Sequence, residues 1–157
     1  MPPSVLFDIS NINLDNVLHG DDEIERVNPQ RGHMRHLDAI TFVDKPAKNM
    51  AGFKDVRPEE FWVDGHIPGR PLLPGVLMIE AAAQMSSFYT RVILGVEGFI
   101  GFGAVENFKF RTPVTPGQRL HLLLHEVYLR HGRICSDVQG LVGGQICFDG
   151  RMVGTVM

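Results

Sequence analysis

Two side chains in this sequence, His66 and Glu80, have the type and setting for moving protons. His66 stands between Gly65 and prolines at 68, 71 and 74, whose restricted backbone angles hold a loop in one shape. The three-residue spacing of those prolines suits a semi-rigid extended turn, with Pro68 two residues from the imidazole. Glu80 is a lone carboxylate in an otherwise apolar stretch. A neutral imidazole takes a proton near neutral pH, and a carboxyl kept neutral by burial gives one. Each feature alone has a duller explanation: a structural histidine, an ordinary ion-pair partner, a polyproline ligand. The last fails, because such ligands lie exposed and this run feeds a helix built for burial.

The elements that must position the pair are legible around it. Pro74 is acceptable at a helix start, and Val76 to Leu94 supplies good helix formers, Leu77, Met78 and three successive alanines among them. The stretch is apolar nearly all round, as in a helix wrapped by other elements. Val76, Glu80 and Gln84 recur every four residues and stack along one face. Glu80 then points back toward the helix start, where Gly75 and Val76 carry backbone N–H groups with no intrahelical partner. A carbonyl oxygen gathering negative charge is stabilised by such donors and by the helix dipole, and Gly75 has no side chain to keep it away. Gln84 is placed to hold Glu80.

Alternation over His36–Asp44 predicts a strand, and a second follows around Ala51–Val56. Arg57–Phe61 reads as a turn. Beyond Gly95, strands are expected at Phe99–Val105, Leu120–Leu129, Ile134–Val142, Gln145–Phe148 and from Arg151 to the end, with His131-Gly132 and Gly143-Gly144 as hairpin turns. One buried helix followed by an antiparallel meander is an α+β arrangement in which the sheet curls around the helix. Residues 1–22 read as an irregular arm before a single domain over 23–157, and Asp21-Asp22-Glu23 opens a short helix at the junction.

Composition narrows the function classes. Hydrophobic residues are 44% and charged residues 21%, ordinary for one globular domain, and a net charge of -3 gives no general attraction to nucleic acid or anionic membrane. The most apolar stretch, Pro74–Leu94, holds Glu80, Gln84, Ser86, Ser87, Thr90 and Arg91, too many polar groups for a membrane span. Met1–Ser10 lacks the pattern of a secretory leader, and Cys135 and Cys147 match neither a disulfide framework nor a metal site, so a reducing cytoplasm is expected. His33 and His36 have a His-x-x-His spacing, but two ligands do not make a metal site. No metal or other cofactor is expected.

The segment Gly65-His66-Ile67-Pro68, Pro71, Pro74-Gly75-Val76 and Glu80-Ala81-Ala82-Ala83-Gln84 resembles the signature of the 3-hydroxyacyl-(acyl carrier protein) dehydratases, in order and spacing. A second patch, Phe110-Arg111-Thr112-Pro113-Val114-Thr115-Pro116-Gly117, resembles that family's Phe-Lys-Arg-Pro-Val-x-Pro-Gly turn. The likeness runs from about Ile24 to the end. It implies a hotdog fold, and a homodimer whose active sites each join the histidine of one subunit to the acid of the other, with trimers of dimers as a further assembly. It also implies that the Gly75 N–H binds the thioester carbonyl. Two departures stand out: Ile67 replaces the usual phenylalanine, and Asn28–Met34 replaces a Leu-Pro-His-Arg-x-Pro-Phe segment. Glu80 keeps to the signature, and since a related dehydratase–isomerase branch carries aspartate there, glutamate favours the dehydrate-only branch.

The reaction so implied removes water from a (3R)-hydroxyacyl thioester on acyl carrier protein, giving the trans-2-enoyl thioester in fatty acid or related acyl-chain synthesis. Neutral His66 takes the C2 proton and protonated Glu80 gives one to the departing C3 hydroxyl; an ionised Glu80 that only orients His66 or a water is the alternative. Leu73, Met85, Phe88, Phe99 and Phe102 are candidates for lining an acyl tunnel, with core packing as the competing role. Arg70, Arg91, Lys109 and Arg111 are candidates for meeting an acidic carrier protein and its phosphopantetheine arm, against plain surface charge. Two rival functions share the fold: an acyl-thioester hydrolase, and a non-catalytic module that binds acyl groups or their carrier.

Overall fold

In the computed structural model, which describes residues 3–157, helix α2 (Gly75–Phe88) lies across one face of a six-stranded sheet. The strands are β1 (Ala39–Asp44), β2 (Asn49–Asp55), β3 (Ile100–Phe110), β4 (Arg119–Arg130), β5 (Arg133–Val142) and β6 (Gln145–Val156). They are ordered β1-β2-β4-β5-β6-β3, and every neighbouring pair is antiparallel. A short helix, α1 (Asp21–Val27), precedes the sheet with its acids in the first turn. This is the expected α+β architecture, a hotdog fold.

The core forms where α2 meets the sheet. Met78, Ala81, Met85 and Phe88 of the helix pack with Leu120, Leu122 and Leu124 of β4 and with Phe148 and Met152 of β6. Side chains alternate along a strand, so Leu123 falls on the opposite face with Ala51 and Leu141. The segment before α1 covers that second face. Its Leu6, Phe7, Ile9 and Leu14 pack there, and the Leu6 N–H donates to Gln139 Oε1 (2.7 Å) while Gln139 Nε2 donates to the Ser4 carbonyl (2.8 Å). The arm is irregular in backbone from residue 3 to α1 yet seated on the sheet; residues 1 and 2 lie outside the described part.

Several expected elements differ in extent. The first strand begins at Ala39 rather than His36, because the His36 and Leu37 amides are taken by a helix side chain instead of a strand neighbour. The helix expected to Leu94 ends its α-helical part at Phe88 and finishes as a π turn over Tyr89–Ile93. The two short strands expected at the end are one, β6, running through Gly150. That glycine is no turn residue: a Cβ there would meet the Phe108 ring at 2.3 Å, so its bareness lets an aromatic side chain lie on the strand. β3 is longer than expected and forms one open edge of the sheet. Phe102, Val105 and Phe110 on it, and Phe99 just before it, are about half exposed, 46–53%. An open edge with that much apolar surface is a template for pairing with another chain.

Candidate active site

The His66 loop is held almost entirely by its own backbone. Trp62 is buried as an anchor, and its carbonyl accepts from the His66 N–H at 2.9 Å. The Arg70 N–H donates to the Ile67 carbonyl (2.9 Å), and the Leu73 N–H donates to Val114 (2.8 Å), tying the loop to the Pro113–Gly117 turn. His66 Nδ1 lies 2.8 Å from the Leu72 carbonyl. A carbonyl only accepts, so Nδ1 carries the proton and Nε2 keeps a free lone pair. The ring is exposed, with Pro68 and Arg70 exposed beside it.

Glu80 is half-buried on α2 and braced by a side chain. Gln84 Nε2 donates to Glu80 Oε1 at 2.8 Å and to the Met34 carbonyl at 2.7 Å. Gln84 Oε1 in turn accepts from the His36 N–H (2.8 Å) and the Leu37 N–H (3.1 Å). Asn28 Nδ2 donates to the Gln84 backbone carbonyl (2.8 Å). One buried amide therefore uses all four of its hydrogen-bonding positions to clamp the 28–37 segment onto the helix and fix the carboxyl.

Behind this clamp lies a second buried polar group. Lys54 Nζ sits 3.1 Å from His36 Nδ1 and donates to Glu60 Oε1 at 2.6 Å. Burial, with the Lys54 charge adding to it, pushes the His36 pKa down to about 4. His36 is thus neutral at pH 7 and sealed in the structure, which suits a packing role.

At the start of α2, Pro74 supplies no side-chain cap, so the Gly75 and Val76 N–H groups are donors without a capping partner. Glycine at 75 also leaves room for a neighbouring ring. A Cβ there would meet the Phe110 ring at 2.9 Å, so with glycine the ring lies directly against the helix start.

Within one chain the two candidate proton-transfer groups, His66 and Glu80, do not share a cavity. One hollow lies between Glu80, Ala83, Gln84 and Ser87 of α2, Gln30, and the sheet around Phe99, Phe102 and Met152. His66 lines two others, one with Leu73, Gly75, Phe110 and Arg111, the second with Phe61, Trp62 and Val76. Of the tunnel candidates, Phe99 and Phe102 face the Glu80 hollow and Leu73 a His66 hollow, while Met85 and Phe88 are buried in the core. Of the basic candidates, Arg70 and Lys109 are exposed; Arg91 donates to the Val27 carbonyl, and Arg111 pairs with Asp149 at 2.6 Å. Among the described residues, no three His, Cys, Asp or Glu side chains gather as a metal site, and no helix is long and apolar enough to cross a membrane.

Comparison with known proteins bears on this arrangement. Residues 28–156 match the model of the FabA-like domain. The chain belongs to the FabA-like family. It is 34% identical over 131 residues to a 3-hydroxyacyl-[acyl-carrier-protein] dehydratase FabZ of Clostridium botulinum, covering 78% of this chain and 88% of the relative. It is 36% identical over 138 residues to the FabZ of Clostridium kluyveri, covering 85% and 93%. Among solved structures, the dehydratase heterocomplex ApeI:P from Xenorhabdus doucetiae superposes with a TM-score of 0.69 at 14% identity, over 85% of this chain and 90% of that one. Cj0977, a sigma28-regulated virulence protein from Campylobacter jejuni, superposes at 0.63 with 16% identity, over 89% and 94%. At those identities the two structures speak for the fold alone.

The FabA-like match begins at Asn28 and so takes in the clamped segment, while the arm and α1 precede it. Three contributors to this arrangement escaped sequence reasoning: Asn28, the Met34 carbonyl and the Phe110 ring. The first two lie some fifty residues from Gln84 in the chain, and no local pattern announces them. Phe110 belongs to a recognised motif, but its contact with Gly75 crosses from the sheet edge to the helix.

Proposed function

We propose that this chain removes water from a 3-hydroxyacyl thioester on an acyl carrier protein, at sites assembled from two copies of itself. The thioester carbonyl lies at the start of α2, accepting from the Gly75 N–H with Val76 beside it. There the donors and helix dipole stabilise the negative charge that develops as C2 loses its proton. His66 Nε2 takes that proton. Glu80, its other carboxyl oxygen held by Gln84, gives a proton to the C3 hydroxyl, which leaves as water while the C2–C3 double bond forms. All the steps are proton transfers between side chains and substrate, and they call for no cofactor.

The observation that carries this reading is the division of the pair: His66 with its free nitrogen and Glu80 with its braced carboxyl open into different, incomplete hollows of one chain. A second copy supplies the missing half. The open β3 edge, with its half-exposed Phe102 and Val105, is the surface on which that copy would dock. The relatives' named substrate class agrees, and exposed Arg70 and Lys109 offer positive charge to a carrier. Free, buried Cys135 and Cys147 fit work in a reducing cytoplasm.

The test is dehydration of a 3-hydroxybutyryl thioester, followed by enoyl-thioester absorbance. Wild-type protein forms the enoyl product, and His66→Ala or Glu80→Gln stops it. Near wild-type turnover in either variant would reject the assignment. Thiol release without enoyl formation would make the chain a hydrolase instead.

A further inference from the structure

We infer that Lys54 is a positioning residue for the dehydration, and that each copy of it steadies one half of two different active sites. The inference rests on the dehydratase reading, with sites shared between two chains. Lys54 stands on β2 opposite Leu120 of β4, so its side chain enters the core face of the sheet, where it is 2% exposed. Its Nζ donates to Glu60 Oε1 at 2.6 Å and lies 3.1 Å from His36 Nδ1. An ammonium only donates, so that nitrogen of the neutral imidazole accepts.

Each partner of Lys54 is the root of one reacting group. Glu60 Oε2 accepts from the Arg57 N–H (2.8 Å), and the Glu60 carbonyl accepts from the Val63 N–H (3.1 Å). These bonds fold the turn that carries Trp62, whose carbonyl accepts from the His66 N–H. On the other side, the His36 N–H donates to Gln84 Oε1, and Gln84 Nε2 donates to Glu80. One ammonium therefore joins the foot of the His66 loop to the clamp on Glu80. Stability is a poor reason for a lysine here. Taking an ion pair out of water costs about as much as the pair returns, and apolar side chains of similar volume often serve folding as well or better. An apolar group would lack the two directed contacts, one to a carboxylate and one to an imidazole. Because the loop and the clamp of one chain serve different sites of the pair, each Lys54 acts on both sites.

The experiment uses mixed dimers with one competent site. One chain carries His66→Ala and its partner Glu80→Gln, so the surviving site takes Glu80 from the first chain and His66 from the second. Lys54→Met is added to the first chain or to the second. Dimers bearing both chains' tags are isolated by affinity and by size, so unfolded chains are not counted. kcat and KM are then measured for a 3-hydroxybutyryl thioester on acyl carrier protein. Either placement is expected to lower kcat by about tenfold or more, with KM close to that of the parent mixed dimer, because a small displacement of a reacting group slows the chemical step. If Lys54→Met fails to fold, Lys54→Met/Glu60→Gln takes its place with the same expectation, since it leaves no buried charge and keeps an acceptor for the Arg57 N–H. A parent-like kcat in both placements, whatever happens to KM or to the urea midpoint, makes the lysine structural and overturns the inference. A fall in one placement only confines Lys54 to one reacting group and overturns it too. Both results leave the dehydratase reading standing. An inactive parent dimer beside active wild-type protein overturns the shared site and the two-site role together. Wild-type protein that turns over no thioester overturns the dehydratase reading and leaves Lys54 nothing to position.

Discussion

The His66 loop and the Glu80 face of α2 hold the two groups proposed to move protons by opposite means. The loop lies in solvent and is stiffened by prolines and backbone bonds, with one carbonyl, Leu72, fixing the imidazole's tautomer. The helix face is half-buried and depends on one side chain, Gln84, whose partners come from a segment far away in sequence. A base needs an open nitrogen and a set orientation. An acid needs shelter and a neighbour that holds one oxygen while freeing the other. The difference also separates the consequences of damage: a change at the exposed His66 ring leaves folding untouched, whereas changes at the Gln84 clamp act on chemistry and folding together.

The largest effect expected from breaking this comparison is at the reactive groups themselves. His66→Ala and Glu80→Gln should each lower enoyl formation by about 100-fold to 10,000-fold, the usual worth of a positioned acid or base. Urea unfolding of His66→Ala should stay close to wild type, because the ring is exposed. Next comes the open edge. Val105→Glu, placing a charge on exposed β3, should give a monomer in sedimentation where the proposed assembly predicts a dimer for wild type, and remove turnover with it. Gln84→Leu tests the clamp: it strips the His36 and Leu37 amides and the Met34 carbonyl of their partner. A stability loss of roughly 1–3 kcal/mol by urea unfolding is expected, with a fall in kcat. A stable Gln84→Leu protein with normal kcat would dissolve the contrast between the two regions.

An effect on stability alone is expected with pH. The folded pKa of His36 is held near 4 by burial, with Lys54 adding to it, below the 6.5 of an unfolded histidine. The unfolded chain therefore binds the extra proton first as pH falls. The His36 contribution is complete above pH 6.5 and is lost down to about pH 4, a change on the order of 3 kcal/mol. Urea midpoints measured across that interval should fall in wild type and fall less in His36→Leu.

Legibility in the sequence followed the range of the physics involved. Pro74, Gly75 and the four-residue spacing of Val76, Glu80 and Gln84 act locally, so the helix start and the face that carries Glu80 and Gln84 could be read before any fold was known. The hairpin turns at His131-Gly132 and Gly143-Gly144 were readable for the same reason. Contacts between distant segments were not. Gly150 looked like a strand break because nothing local reveals that Phe108 lies on it. His36 looked like strand because its amide's actual partner, Gln84, is 48 residues away. The tunnel candidates illustrate the same limit: Met85 and Phe99 are both apolar, and only the packing sends one into the core and leaves the other facing the Glu80 hollow.

The shared-site claim is tested most directly by mixing two dead variants. His66→Ala and Glu80→Gln proteins are unfolded together, refolded and assayed. Random re-pairing gives mixed dimers in which one site has both defects and the other has neither, so about a quarter of wild-type activity should return. A mixture as inactive as its two components, with re-pairing verified by tagged subunits, would place both groups in one chain's site and contradict the account.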